Sequence, residues 1–178
     1  MNIWHDVSPE RVKPEKFLSC IEISKNSKNK YELDKETGLI ILDRVLYTST
    51  HYPANYGFIP LTLAGDGDPL DVLVLCQSEL LPLSLVRSIP IGVIKMIDSE
   101  EIDEKIIAVA ENDPSINHYR DVSELPPHIF HEISHFFGVY KQLEGKKTEV
   151  QEVLGRTAAL QIIEESLKAY QDAFPTKK

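Results

Sequence analysis

Three aspartates fall within the six residues Asp66-Gly-Asp-Pro-Leu-Asp71. Crowded like charges repel one another, and a surface turn needs one Asp at most. Converging carboxylates suit a bound cation, and their hard oxygens favour Mg²⁺, Mn²⁺ or Ca²⁺ over zinc. Gly67 and Pro69 turn and stiffen the chain, so that Asp66, Asp68 and Asp71 can face a common point. An EF-hand is a poor fit, because Pro69 breaks the loop pattern and no Glu stands at its last position. A second acidic stretch, DSEEIDEK (98–105), follows the strand-like run PIGVIKMI. Two acidic loops at strand ends, meeting in space, would hold more than one metal ion.

Basic and phenolic residues supply the other half of the chemistry. NKYELD offers Lys30, Glu32 and Asp34, and LDRVL sets Arg44 among apolar neighbours. HYPANYGF gathers Tyr52, Asn55 and Tyr56 around a Pro and a Gly, Lys105 closes the second acidic stretch, and Tyr140 and Lys141 end a helical pattern. Taken singly, Lys30 is a surface charge, Arg44 an ion-pair partner, and Tyr52 and Tyr56 core aromatics. Taken together, carboxylates with Lys, Arg and Tyr are the set that holds metal ions and phosphate oxygens at one place.

A competing motif lies at residues 131–135, HEISH, which matches the H-E-x-x-H helix of zinc proteases. His131 and His135 at i and i+4 could bind zinc with Glu132 as base, and Glu152, Glu164 or Glu165 could supply a third ligand. On a helix, however, both histidines lie opposite the stripe of Ile129, Ile133, Phe136 and Tyr140. They would face solvent or a neighbouring subunit, and Lys141 stands where the longer protease motif places its third His. An exposed His pair at a subunit contact is the better reading.

These groups need a frame. From residue 17 to 110 short β-branched runs dominate: FLSCIEIS, YELD, LIILDRVL, YGFIPLTL, DVLVLC, SIPIGVIKMID and KIIAVA, bounded by Gly, Asp, Asn or Pro. DKETG reads as a hairpin turn. Helical spacing follows in 127–142, with Pro127 suited to the first turn, and again in 156–174 through Ala159, Ile162, Ile163, Leu167 and Tyr170. Strands first and helices last predict an α+β domain, and six or so short strands can close into a small barrel. Residues 1–16 read as an irregular N-terminal arm of a single domain spanning 1–178.

The chain of 178 residues carries a net charge of −9, with 42% hydrophobic and 26% charged residues. That balance is ordinary for a globular protein. It argues against a nucleic-acid binder, which needs a positive groove along the phosphates, and against an anionic membrane surface. No run approaches a transmembrane span. The charged start MNIWHDVSPERVKPEK lacks an apolar signal core, so a cytoplasmic location is expected. Cys20 and Cys76 lie in apolar strand-like segments and are expected as free thiols.

Beyond composition, DGDPLD resembles the signature of the family I soluble inorganic pyrophosphatases, Asp-x-Asp-Pro-x-Asp followed by an apolar residue. IEIS…NKYELDKETG, LDRVLYTSTHYPANYGFIPLTLAGDGDPLDVLVL, IPIGVIKMID, DEKIIAV and HFFGVYKQLE are similar to that family too, in order and at family-like spacing across residues 17 to 145. The resemblance implies a closed five-stranded OB-like β-barrel with helices packed outside. It implies hydrolysis of inorganic pyrophosphate to two phosphates, with several Mg²⁺ ions per site and no covalent intermediate. Asp66, Asp71 and Asp103 match ligands of the first activating metal, and Asp71 also reaches a second. Asp98 and Asp103 match ligands of the metals that arrive with substrate, and Glu22 belongs to the same acidic cluster. Asp68 matches the general base. Lys30, Arg44, Tyr56, Lys105, Tyr140 and Lys141 match groups that grip the two phosphoryl units, while Glu32, Tyr52 and Asn55 match other active-site positions. A homo-oligomer is implied, a hexamer in bacteria and a dimer elsewhere.

The sequence departs from the family pattern in places. Ser24 stands where Pro is usual, Glu100, Glu101 and Ile102 replace a Gly-containing stretch, and GKKTEV lacks the usual Trp after GK. A non-catalytic OB-type binding module is the third reading, against which the negative charge and clustered aspartates argue.

Overall fold

The computed structural model describes residues 2–175. Its strands are β1 (Phe17–Ile23), β2 (Asn29–Leu33), β3 (Ile40–Val45), β4 (Asn55–Phe58), β5 (Asp71–Leu75), β6 (Leu85–Asp98), β7 (Glu101–Ala110) and β8 (Thr148–Gly155). Two helices, α1 (Pro127–Val139) and α2 (Arg156–Ala173), flank β8 in the chain. Strands pair in the order β1-β4-β5-β7-β6, and β6 pairs back onto β1, so five strands close into a ring. Closure leaves this ring without a free edge. Within it β5 and β7 run parallel and the other pairs antiparallel. β8 adds to β6 outside the ring, and β2 with β3 forms a separate hairpin. This is the α+β, OB-like barrel expected from the sequence.

Side chains alternate between the faces of a strand. On β7, Ile106, Ala108 and Ala110 join an apolar layer with Trp4 and Val12 of the N-terminal arm and Ala159 and Ile163 of α2. Ile107 and Val109 join the opposite layer, with Ile94, Met96 and the α1 residues Ile133, Phe136 and Phe137. Both faces are covered, so these strands are apolar runs with little alternation. Trp4 also fixes the arm by donating its indole N–H to the Thr62 carbonyl at 2.8 Å. Where β1 and β4 cross, a Cβ on Gly57 would fall 1.9 Å from the Cys20 carbonyl oxygen, so glycine alone fits there.

One expectation needs correction, and one strand gave no sequence signal. The stretch 98–105 is no loop: β6 and β7 form a hairpin that pairs Asp98 with Glu101, and Ser99 and Glu100 make the turn at φ 53° and 76°. Tight two-residue hairpin turns use positive φ because it matches the twist of the strands. Asp98, Asp103 and Lys105 are therefore strand residues. The second finding is β8, whose half-exposed TEVQEVLG gives no buried apolar run to read. Its pairing with β6 carries the chain into α2 without the missing Trp. Gly155, at the N-cap of α2, offers no side chain, and Asp121 takes over that role by accepting from Arg156 N at 2.8 Å.

Cys20 and Cys76 are free. Among the described residues no helix is long and apolar enough to cross a membrane.

Candidate active site

The α1-facing layer of β7 continues past its apolar end. Two and four residues before Ile107, on the same face, stand Lys105 and Asp103. Lys105 lies opposite Asp71 on β5 and opposite Ile94 on β6, and Asp103 lies opposite Met96. Asp98 follows Met96 by two positions, so Asp71, Asp98, Asp103 and Lys105 share one face by strand geometry alone.

Lys105 is 2% exposed. Its Nζ lies 2.6 Å from Asp71 Oδ2 and 3.0 Å from Asp103 Oδ2, and it donates to Tyr56 Oη at 2.9 Å. The rings of Tyr56 and Phe137 stand 5.2 and 5.4 Å from the ammonium, within cation–π reach. Burial alone would favour loss of the Lys105 proton, but the Asp71 and Asp103 carboxylates outweigh it and hold the group well above its usual value. Asp103 is shifted upward, by burial first and then by Asp71, against the pull of Lys105. Tyr56 donates its hydroxyl to Asp71.

Glu22 reaches the same place through a β-bulge. The β1–β4 register shifts between Ile21 and Ile23, and a bulge re-aims the side chain it carries. Glu22 accepts from Leu33 N at 2.8 Å. Burial, and then Asp71, push its carboxyl up to about 8.

The end of α1 supplies the opposite wall. Phe136 and Phe137 anchor the last turn in the core, which brings Tyr140 and Lys141 to Asp98. Tyr140 Oη donates to Asp98 Oδ2 at 3.3 Å and Lys141 forms an ion pair with the same oxygen. Burial works against the Asp98 charge, but the Lys141 hydrogen bond and charge prevail and lower its pKa.

The acidic loop closes on itself. Ala64 N donates to the Asp68 carbonyl at 2.7 Å, Asp68 N donates to Asp66 Oδ1 at 3.0 Å, and Gly67 takes φ 84°. From above, the β2–β3 hairpin adds Lys30 and Glu32, which form an ion pair, and Lys35, which pairs with Asp68.

These groups line one cleft of about 280 Å³: Glu22, Lys30, Glu32, Tyr56, Asp66, Asp68, Asp71, Asp98, Asp103, Lys105, Tyr140 and Lys141. Tyr31 and Lys35 line it as well. Sequence reasoning missed both, since Lys35 sits in an ordinary turn motif and Tyr31 in an ordinary strand. Three expected residues stand apart from the lining. Arg44 is opposite Lys30 across the hairpin, with its guanidinium on Asp43 and Glu144. Tyr52, 1% exposed, packs between Tyr56 and Phe136. Asn55 is fully buried, and its Oδ1 accepts from Lys25 N at 3.0 Å and Leu80 N at 2.9 Å while Nδ2 donates to Ser78 O at 3.1 Å. It fastens two loops beside the cleft.

Seven carboxylates and four lysines line the cleft, a surplus of negative charge on hard oxygen donors. Burial, reinforced by the Asp71 charge, is what raises Glu22 among them. The donor set fits a divalent cation such as Mg²⁺. Among the described residues no three His, Cys, Asp or Glu side chains converge into a finished metal cage. Lysines occupy the gaps: Lys105 between Asp71 and Asp103, Lys35 at Asp68, Lys141 at Asp98. His131 and His135 are exposed on the outer side of α1, and Glu132 faces His128 at 3.7 Å. No third ligand stands with the two histidines, which removes support for a zinc centre among the described residues.

Comparison with known proteins places the chain in a family. A family profile described as inorganic pyrophosphatase matches residues 19–171. Soluble inorganic pyrophosphatase 2 of Chlamydomonas reinhardtii is 49% identical over 176 residues, covering 98% of this chain and 91% of that protein. Soluble inorganic pyrophosphatase 4 of Arabidopsis thaliana is 50% identical over 169 residues, covering 95% of this chain and 78% of that protein. The crystal structure of inorganic pyrophosphatase from Thermus thermophilus superposes with a TM-score of 0.92 at 39% identity, covering 96% of this chain and 99% of that one.

Proposed function

Because this chain belongs to the inorganic pyrophosphatase family, we propose that its acidic cleft hydrolyses inorganic pyrophosphate to two phosphates with Mg²⁺ as cofactor. The carrying observation is the meeting of Asp66, Asp68, Asp71, Asp98 and Asp103, from separate parts of the chain, in one cleft with Lys30, Lys105 and Lys141.

Asp66, Asp71 and Asp103 would hold the first Mg²⁺, and Asp71, Asp98, Asp103 and Glu22 would take part in holding further ions. Bound divalent ions supply positive charge to phosphate oxygens and acidify water. Asp68, half exposed at the cleft mouth, accepts the proton of the attacking water. The water oxygen bonds to one phosphorus, the bridging P–O bond breaks, and the second phosphate departs, so no covalent enzyme intermediate is needed. Lys30, Lys105, Lys141, Tyr56 and Tyr140 hold the phosphoryl oxygens, with Arg44 beside them. An acidic protein thereby handles an anionic substrate, since its carboxylates attract the cations that attract the phosphates.

The enzyme works, on this reading, as a single catalytic domain. Its free thiols suit the reducing cytoplasm. The exposed Leu39, Ile41, Leu42 and Val45 of the hairpin suit a homo-oligomer.

Phosphate release from pyrophosphate in Mg²⁺ tests the reading. Asp68→Asn is expected to lower kcat by about 10²- to 10⁴-fold, the usual worth of a general base. Chelation with EDTA is expected to abolish activity, and His131→Ala to leave it intact. Full activity in Asp68→Asn, or in EDTA, sinks the proposal.

A further inference from the structure

We infer that Glu144 is a positioning residue, holding the Arg44 guanidinium beside Lys30 at the edge of the cleft, from where it serves a phosphoryl oxygen of the substrate. The inference rests on the pyrophosphatase reading and deepens it. Glu144 ends the short turn Gln142–Glu144 that directly follows Tyr140 and Lys141. Its side chain is only 9% exposed, and its charge faces Arg44, whose Nε lies 2.9 Å from Glu144 Oε1. The approach is close but poorly angled. Arg44 Nε and Nη2 and Glu144 Oε2 have no hydrogen-bond partner among the described residues. Buried charged donors left unmatched are costly, and a guanidinium fork matches phosphate oxygens two at a time. Glu144 therefore grips Arg44 by charge more than by hydrogen bonds, a hold that leaves the fork free to turn toward a phosphoryl oxygen.

The location supports the same conclusion. Arg44 stands directly across the hairpin from Lys30, which lines the cleft. Its other partner, Asp43, is its own neighbour on β3 and moves with the hairpin. Glu144 instead belongs to the segment that Tyr140 and Lys141 anchor at Asp98. The pair thus ties the separate β2–β3 hairpin to the opposite wall and sets both phosphate-gripping segments in one frame.

Steady-state kinetics on the full-length enzyme, with pyrophosphate varied at saturating Mg²⁺, test this. Glu144→Gln is expected to raise KM about tenfold, the equivalent of one good charged contact, and to leave kcat within about twofold. Glu144→Asp recovers part of the loss. Arg44→Gln raises KM at least as much, and the double variant is no worse than Arg44→Gln alone, because both changes remove one unit. Thermal melts of each variant run alongside. If the two effects multiply, or if Glu144→Gln lowers the melting temperature with KM unmoved, Glu144 is a structural prop and the inference falls. If Arg44→Gln leaves KM unchanged, the inference falls with the role of Arg44, while a large Asp68→Asn loss still upholds the hydrolase reading.

Discussion

Lys105 Nζ lies 2.6 Å from Asp71 Oδ2, and the two residues stand opposite each other on neighbouring parallel strands. With Asp103 on its other side, the buried ammonium separates two carboxylates that would otherwise face each other uncompensated. Lys105→Met is expected to cost about 3 kcal/mol of stability without metal, as for a buried pair deprived of one partner. Mg²⁺ should restore part of that loss by taking over the charge. Urea unfolding in EDTA and in Mg²⁺ measures both; an equal loss in the two media would contradict the substitution of one cation for another.

Lys35 joins three segments. Its ammonium pairs with Asp68 and lies 5.6 Å from the Trp4 ring, and its carbonyl accepts from Asn2 Nδ2 at 2.8 Å. The pair with Asp68 is half exposed, so Lys35→Ala should change stability by less than about 1 kcal/mol. Removing a positive charge beside the acidic loop should instead strengthen cation binding by about 1 kcal/mol, roughly fivefold in the Mg²⁺ concentration for half activity. Titration of activity with Mg²⁺ checks the direction; an unchanged or higher requirement refutes it.

Asp121 caps α2 from a distant stretch of chain, and a Cβ on Gly155 would fall 2.7 Å from Asp121 Oδ2. The Arg156 and Ser123 N–H groups lower the Asp121 pKa. A carboxyl lowered in the folded state adds stability that is fully present above its unfolded value and is lost as pH falls through the folded one. Asp121→Ala should therefore cost about 1 kcal/mol at neutral pH, typical of a lost cap. Partial solvation keeps the pH-linked share of that cost small. The gap to wild type should narrow in acid, as seen by melts at neutral and strongly acidic pH. A gap that widens in acid would be the wrong sign.

Gly57→Ala drives a methyl group into the Cys20 backbone, where no flexible side chain can yield. The expected loss is about 3 kcal/mol or more, at the upper end of overpacking costs, read from the denaturant midpoint. A change below about 0.5 kcal/mol, the range of an inert surface change, would show that the strand crossing is looser than described.

Much of this was legible in the chain itself. DGDPLD suggested a cation site because three carboxylates in six residues repel unless something compensates them, and the structure sets all three on the lining of one cleft. The helices were legible because their apolar stripes are strong. DSEEIDEK misled because its charges mimic a loop, whereas pairing of residues 101–105 with β6, and of Asp98 with β8, holds the arms extended. β8 left no signal, since an edge strand with a solvated face needs no apolar run. Asn55 shows the same limit: an amide among site residues looks chemical, but its bonds to the backbone of Lys25, Ser78 and Leu80 are visible only in space. Glu144 and Lys35 were invisible because their partners come from remote segments.

The Ser99–Glu100 turn carries one more consequence. Asp98 and Asp103 share a wall because of pairing parity along the hairpin, not because of the turn that joins its arms. A longer segment grafted at 99–100 would emerge at the cleft's lip and leave both carboxylates in place. One residue inserted between Asp103 and Lys105, which is fixed opposite Asp71 and Ile94, would instead rotate Asp103 to the far side of the wall. The lip is thus open to lengthening, by evolution or by design, while the strand beside it tolerates insertions only in even numbers.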